Sequence, residues 1–308
     1  MWTRPRHPIL TVRQSAPTPA GGFRPNPDTS LRETMPVTDQ HIAHFREFGY
    51  VALPDFLNQR ETAALQAEVA RFQREGLLRN VHTEGDGQTP SSTKANLQLI
   101  PLYDKSDLLR ALPFQPRVLD AVERLIGDPF ILHLDQMFLK PARSGSGTDW
   151  HQDNAYFKIA DPLMGTAMWL AVHDANAANG TLRVIPSSFR QSYAHERDPY
   201  SNHHIHCSPP EEEAVTLDVP AGGAAFFCYG TAHCTGDNRT EHERAGLAFH
   251  FLRTDFAVPG LIEPDRQARP HLTGPEASGG LREYGVKAAG TWDYEVERAL
   301  ATDSQTSS

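Results

Sequence analysis

Cysteine is scarce in this chain: Cys207, Cys228 and Cys234 in 308 residues, an odd number with no CxxC spacing. That argues against a disulfide framework and a thiolate zinc site, and it suits a reducing compartment such as the cytoplasm. No apolar run approaches the roughly 20 residues that a membrane-spanning helix needs. Basic charge is also short. There are 29 Lys and Arg against 38 Asp and Glu, a net charge of -9, and no basic cluster is interleaved with aromatics. Nucleic acid and anionic membrane surfaces are therefore poor partners. The first 34 residues have no acidic side chain before Asp28, and their amphipathic pattern is too poor for a transit peptide. Residues 1–34 read as a disordered or misassigned leader, with Met35 as an alternative start.

What is present is the composition of a globular chain, with 39% hydrophobic and 22% charged residues. Its length allows one large domain with a substantial core. Thr38 is placed to cap a helix carrying Ile42, Phe45 and Phe48, and a short strand, Gly49 to Pro54, follows. Further helices are predicted over Gln59 to Phe72 and Gln115 to Ile126, the second stopping at Gly127-Asp128-Pro129. Between them, His82 to Thr93 reads as a polar loop, either a lid or a plain connection.

Past Pro129 the period changes to two. Phe130, Leu132, Leu134, Gln136, Phe138 and Lys140 share one predicted strand face, apolar at one end and polar at the other. Further strands are predicted over Thr166–His173, Thr181–Ile185, Ala214–Val219, Ala224–Tyr229 and Arg244–Arg253, separated by Gly, Asn and Pro turns. Helices followed by many short strands predict a mainly β fold with flanking helices, a double-sheet jelly roll. The predicted organisation is one domain over 35–300 and a frayed tail over 301–308.

Two imidazoles and one carboxylate on one face of a metal leave about three coordination positions open, the donor set of non-haem Fe(II) oxygenases. The His-x-Asp/Glu spacing alone is weak, since about two matches arise by chance in a chain of this composition. Three are present: His82/Glu84, His133/Asp135 and His151/Asp153. The first pair lies in the polar loop. The second lies on a strand, on the face opposite the one read as inward. The third precedes Ala155-Tyr156-Phe157 in a strand-like setting, where residues i and i+2 point the same way. For a third ligand there are two candidates. One is His233, shortly after the strand at Ala224. The other is the run His203-His204-Ile205-His206, which reads as an exposed loop or a substrate-channel feature.

From Met35 to about Arg253 the chain resembles the phytanoyl-CoA dioxygenase family of Fe(II)/2-oxoglutarate-dependent oxygenases. The residues that carry the likeness are Thr38 to Leu57, Trp150 to Asp153, Asn179-Gly180-Thr181-Leu182, Val184 to Ser188, and His233 to Asn238 with Arg244. The resemblance implies a double-stranded β-helix (jelly-roll, cupin-like) core, with His151, Asp153 and His233 as iron ligands. It implies Arg244 as the cation for the distal carboxylate of 2-oxoglutarate, a role that suits a planar guanidinium. Thr235, Trp169, Lys94, Gln136 and Lys140 match further cosubstrate-pocket positions, although solvated surface lysines are the plain alternative at Lys94 and Lys140. Pro186-Ser187-Ser188-Phe189 departs from the usual Pro-Gly-Ser-His turn. A carboxylate at 153, where halogenating relatives have a small residue, implies oxygenation.

The expected activity is hydroxylation of a small-molecule metabolite with release of succinate and CO2. Desaturation, epimerisation, ring closure or non-redox jelly-roll metal chemistry are the alternatives. The acidic balance weighs against a coenzyme A thioester. Gly85 to Thr93, Ala160 to Met164, Tyr156, Phe157 and the His203 run are expected at the substrate mouth.

Overall fold

The computed structural model describes residues 37–258 and 268–306. The expected leader and Met35 lie outside the described residues. The strands are β1 (Tyr50–Leu53), β2 (Arg79–Asn80), β3 (Leu97–Leu99), β4 (Phe130–Lys140), β5 (Thr148–His151), β6 (Gly165–Ala171), β7 (Leu182–Val184), β8 (Glu196–Arg197), β9 (Ile205–His206), β10 (Val215–Thr216), β11 (Ala224–Cys228), β12 (His233–Thr235) and β13 (Arg244–Arg253). The helices are α1 (Asp39–Phe48), α2 (Gln59–Arg74), α3 (Asp107–Ala111), α4 (Pro116–Ile126), α5 (Asn154–Phe157), α6 (Leu281–Tyr284) and α7 (Trp292–Thr306).

Helix ends follow local chemistry. Thr38 caps α1 through the N–H of His41, and Gly49 closes it in the left-handed region at φ 84°. A Cβ at Gly49 would also meet the Thr231 hydroxyl at 2.6 Å, so conformation and space both demand glycine there. Asn58 and Glu61 form a reciprocal capping box on α2. Gln115 caps α4, with Pro116 in its first turn and Gly127 at its end.

The strands form an antiparallel sheet in the order β1-β11-β6-β13-β4-β3-β2 and a smaller one in the order β10-β7-β12-β5. One face of the large sheet packs on the helices, with Phe226, Phe249 and Leu247 against Phe45, Leu65 and Val122 in the main core. Its other face packs on the small sheet through Trp169, Phe227 and Ala248 against Leu182 and Val184. With both faces covered, β6 and β11 are buried at every residue. This is the expected double-stranded β-helix, or jelly roll, flanked by helices.

The structure corrects three local expectations. β4 does not present one continuous face from Phe130 to Lys140. On β13, His250 pairs with Leu134 and Phe251 with Leu132, leaving His133 as an extra residue in β4. This bulge exchanges the two faces of the strand. Phe130 and Leu132 join Met137 and Leu139 in the helix-side core, while Gln136, Phe138 and Lys140 lie opposite Ala248, Gly246 and Arg244. Ala155 to Phe157 belong to a helical turn, not a strand. The expected strand from Ala214 to Val219 is a ladder only at Val215–Thr216, the stretch that pairs with β7. At the C-terminus α7 continues to Thr306, past the start of the expected tail. It is held to α2 by the Trp292 indole, which donates to Glu61 Oε1 at 2.8 Å.

Candidate metal and cosubstrate site

β12 runs inside the small sheet between β7 and β5, and its register sets His233 opposite His151. The two imidazole centroids are 4.2 Å apart. β5 ends at His151, and Asp153 takes a helical conformation (φ -56°, ψ -33°) at the start of α5. The carboxylate therefore reaches His151 across a strand-to-turn bend, not along an extended strand. Gln152 anchors that bend: its amide donates to the carbonyls of Gln191 at 2.8 Å and Gly230 at 2.6 Å, and accepts the N–H of Tyr193 at 3.1 Å.

Asp153 Oδ1 lies 3.8 Å from His151 Nε2 and 3.9 Å from His233 Nε2. One donor atom from each of the three residues falls within 4.8 Å of the others. His151 Nδ1 sits 2.8 Å from the carbonyl of Asp149, and His233 Nδ1 2.9 Å from the carbonyl of Thr231. A proton on each Nδ1 satisfies those carbonyls and turns the Nε2 lone pairs inward. Burial opposes charge on Asp153, but His250, His233 and His151 together hold its carboxyl well below the usual range. Burial, then the neighbouring His151, pushes His233 down to about 3. An ionised carboxylate beside a neutral imidazole is the protonation state that binds a divalent cation. The donor set, two nitrogens and one oxygen, fits Fe(II).

Beside these three residues lies a pair of buried cations. Lys140 and Arg244 pair across β4 and β13, and both donate to the carbonyl of Gly180. Lys140 also donates to the Thr235 hydroxyl at 2.8 Å and to the carbonyl of Gly236. The Arg244 guanidinium stacks on Trp169, 5.4 Å from the ring centroid, and its Nε is buried with no hydrogen-bond partner among the described residues. Burial, reinforced by Arg244, pulls the Lys140 ammonium well below its usual range, and burial alone takes Arg244 down to about 9. Among the described residues neither cation has a carboxylate at ion-pair distance. Two buried charges with only neutral partners fit a dicarboxylate arriving from solution.

Of the expected pocket residues, Trp169, Thr235, Lys140 and Arg244 are thus brought together. Gln136 faces the same side of β4, where its amide oxygen accepts from Gln98 at 2.9 Å. Lys94 is not in the cluster: it is exposed and paired with Asp237 at 3.3 Å. His204, expected in an exposed loop or a substrate channel, is buried, with its ring nearly parallel to that of His151 at 6.2 Å. His133, read as facing away, is turned by the bulge against Phe157, 4.3 Å between centroids. Phe157 itself packs on His133, Tyr229 and His250. Tyr156 caps the N–H of Ile205 at 2.9 Å and so ties the His203 run beside the metal-ligand candidates. A groove of about 580 Å³ follows the edge of β5, lined by Thr148, Asp149, His204, Tyr200, Thr235 and Lys94 among others.

Sequence reasoning passed over His250, whose Nε2 lies 3.3 Å from Asp153 Oδ2. The available signal was parity on β13: His250 shares a face with Arg244, six positions away.

A jelly roll with a His-Asp-His cluster beside a buried Arg–Lys pair defines a metal-dependent oxygenase of the 2-oxoglutarate type. Residues 45–246 match the family model described as Phytanoyl-CoA dioxygenase (PhyH). The chain belongs to the phytanoyl-CoA dioxygenase family and is a dioxygenase dependent on iron and 2-oxoglutarate. It is 24% identical to an ectoine dioxygenase of Bordetella parapertussis over 225 residues, 67% of this chain and 72% of that one. It is 30% identical to phytanoyl-CoA dioxygenase 1 of Oryza sativa subsp. japonica over 131 residues, 41% and 46% of the two chains. Among solved structures, the epimerase SnoN in complex with Fe3+, alpha ketoglutarate and nogalamycin RO superposes with a TM-score of 0.61 at 23% identity. That match covers 77% of this chain and 96% of SnoN. EctD from S. alaskensis with 2-oxoglutarate and 5-hydroxyectoine gives 0.58 at 21% identity, covering 74% and 80%.

Proposed function

We propose that this enzyme hydroxylates an unactivated C–H bond of a small polar metabolite, converting O2 and 2-oxoglutarate to succinate and CO2 as the alcohol forms. The observation that supports this most is the adjacency, through Thr235 on the strand of His233, of the His151–Asp153–His233 cluster to two buried cations with no carboxylate at ion-pair distance among the described residues. Bound iron supplies the oxidising chemistry. His151, Asp153 and His233 would hold it, leaving one side open to cosubstrate and substrate. Arg244 and Lys140 would grip the distal carboxylate of 2-oxoglutarate, with Thr235 positioning the ammonium and Trp169 flooring the guanidinium. Tyr156 and the His203 run would shape the substrate side and exclude water from it. Three free, buried cysteines suit a cytoplasmic location, and no described helix is long and apolar enough to cross a membrane.

The test is succinate release with Fe(II), 2-oxoglutarate and a panel of candidate metabolites, with product mass read in parallel. A gain of one oxygen supports hydroxylation. Turnover retained in His151→Ala or Asp153→Ala would reject the site. A second reading keeps the cofactors and changes the outcome at the substrate, because structural neighbours include proteins named as a carbocyclase and an epimerase. Loss of two hydrogens, or no change in mass, favours that reading.

A further inference from the structure

Asp153 presents its two oxygens to different partners. Oδ1 faces His151 and His233 at 3.8 and 3.9 Å, while Oδ2 lies 3.3 Å from His250 Nε2. His250 is 4% exposed and is enclosed by rings: Phe157 at 5.6 Å, edge-on, and Tyr229 at 6.0 Å. Its Nδ1 is buried with no hydrogen-bond partner among the described residues. Asp153 Oδ2 is likewise buried and completes no hydrogen bond among the described residues, so a proton on His250 Nε2, 3.3 Å away, offers it a donor and leaves Nδ1 a lone pair with no N–H to satisfy. The imidazole is fixed from the strand side as well, since His250 pairs with Leu134 and with Ala167 on the two neighbouring strands.

We infer that His250 is a positioning residue that engages Oδ2 of Asp153, so that the carboxylate offers the metal Oδ1 alone. The inference rests on the oxygenase reading above and goes one step further, to what sets the number of open positions. A carboxylate free to swing can bind a metal through both oxygens and occupy one of the positions that 2-oxoglutarate requires. A donor on Oδ2 prevents that. Partners of this kind typically change metal affinity by about 10–100-fold when removed.

The experiment uses the full-length protein loaded with Co(II), whose visible absorption reports coordination number, in the wild type and in His250→Phe and His250→Gln. Phenylalanine keeps the ring and removes the donor, whereas the glutamine amide nitrogen can reach the place of Nε2. Expected for His250→Phe are Co(II) binding weaker by about 10–100-fold, an altered visible spectrum, and a reduced spectral response to 2-oxoglutarate. His250→Gln should recover affinity and spectrum to within a few-fold, and melting of the metal-free proteins should be alike. If His250→Phe binds Co(II) with wild-type affinity and spectrum, the inference is overturned. It is overturned equally if both variants lose metal to the same extent, since a merely structural role predicts no rescue. Wild-type protein that binds neither Co(II) nor 2-oxoglutarate would instead sink the oxygenase reading itself.

Discussion

Lys140 donates to the hydroxyl of Thr235 at 2.8 Å, and the same hydroxyl accepts the backbone N–H of Thr148 at 3.1 Å. One oxygen thus joins the buried ammonium to β12 and β5, the strands that carry His233 and His151. Lys140→Met keeps most of the length of the side chain and deletes its ammonium. The KM for 2-oxoglutarate is expected to rise about 10–100-fold, or ~1.4–2.7 kcal/mol, with a smaller change in kcat. Steady-state succinate formation checks this. An unchanged KM would separate Lys140 from the cosubstrate.

Gly246 faces the indole on which Arg244 rests. A Cβ at that position would lie 2.6 Å from Trp169 Cζ2, so Gly246→Ala must displace the ring or the strand. The expected loss of stability is about 1–3 kcal/mol, read as a lower melting temperature. Because the displaced ring floors the guanidinium, the KM for 2-oxoglutarate should rise as well. A variant that melts and turns over like the wild type would contradict the packing.

The three proposed ligands come from the end of β5, the start of α5 and the start of β12. A metal that binds them links separate segments of the folded chain. At a free concentration of 100 Kd, Co(II) should raise the unfolding free energy by about 2.7 kcal/mol. Chelation should reverse the gain, and Asp153→Asn should abolish most of it. Denaturant unfolding with and without metal measures both effects.

Asp135 offers a pH test independent of the site. It is buried on the helix side of β4, and burial pushes its carboxyl up to about 7, although the N–H of Tyr103 donates to it at 2.9 Å. Across a window from roughly 4 to 7 the folded chain holds a proton that the unfolded chain releases. Stability from this group therefore falls as pH rises through that window. Asp135→Asn keeps an acceptor for Tyr103 and removes the ionisation. Its stabilisation should be about 2–4 kcal/mol larger at pH 8 than at pH 4. Equal differences at the two pH values would show that Asp135 titrates as an exposed carboxylate does.

Elements governed by neighbours in sequence were legible from residues alone. Thr38 and Gly127 mark helix ends through their own backbone chemistry, and β11 and β13 were bounded by turns and an even period. Elements that exist because of a distant partner were not. β2, β3, β5, β8 and β9 are short ladders with little pattern of their own. His204 and His250 acquire meaning only when the fold sets them against His151 and Asp153. An inserted residue such as His133 is invisible to a count of alternation. Of the candidate site, the ordered set of motifs pointed to the residues that gather at the centre, whereas Lys94 occupies the rim because its loop ends in a surface pairing with Asp237.

The unpaired His133 makes β4 behave as two short strands welded end to end, each with its own parity. Deleting that single residue would leave the other pairings with β13 as they stand, since Phe251 and His250 already lie opposite Leu132 and Leu134, and would restore regular alternation along β4. Met137 and Leu139 would stay in the core under the helices and Gln136, Phe138 and Lys140 on the opposite face, and the chain would lose the imidazole set against Phe157. The extra residue is therefore an addition to a strand that would pair in register without it, and the two halves can change composition separately. The half beyond the kink can be altered to retune the pocket without disturbing the packing beneath Phe130 and Leu132.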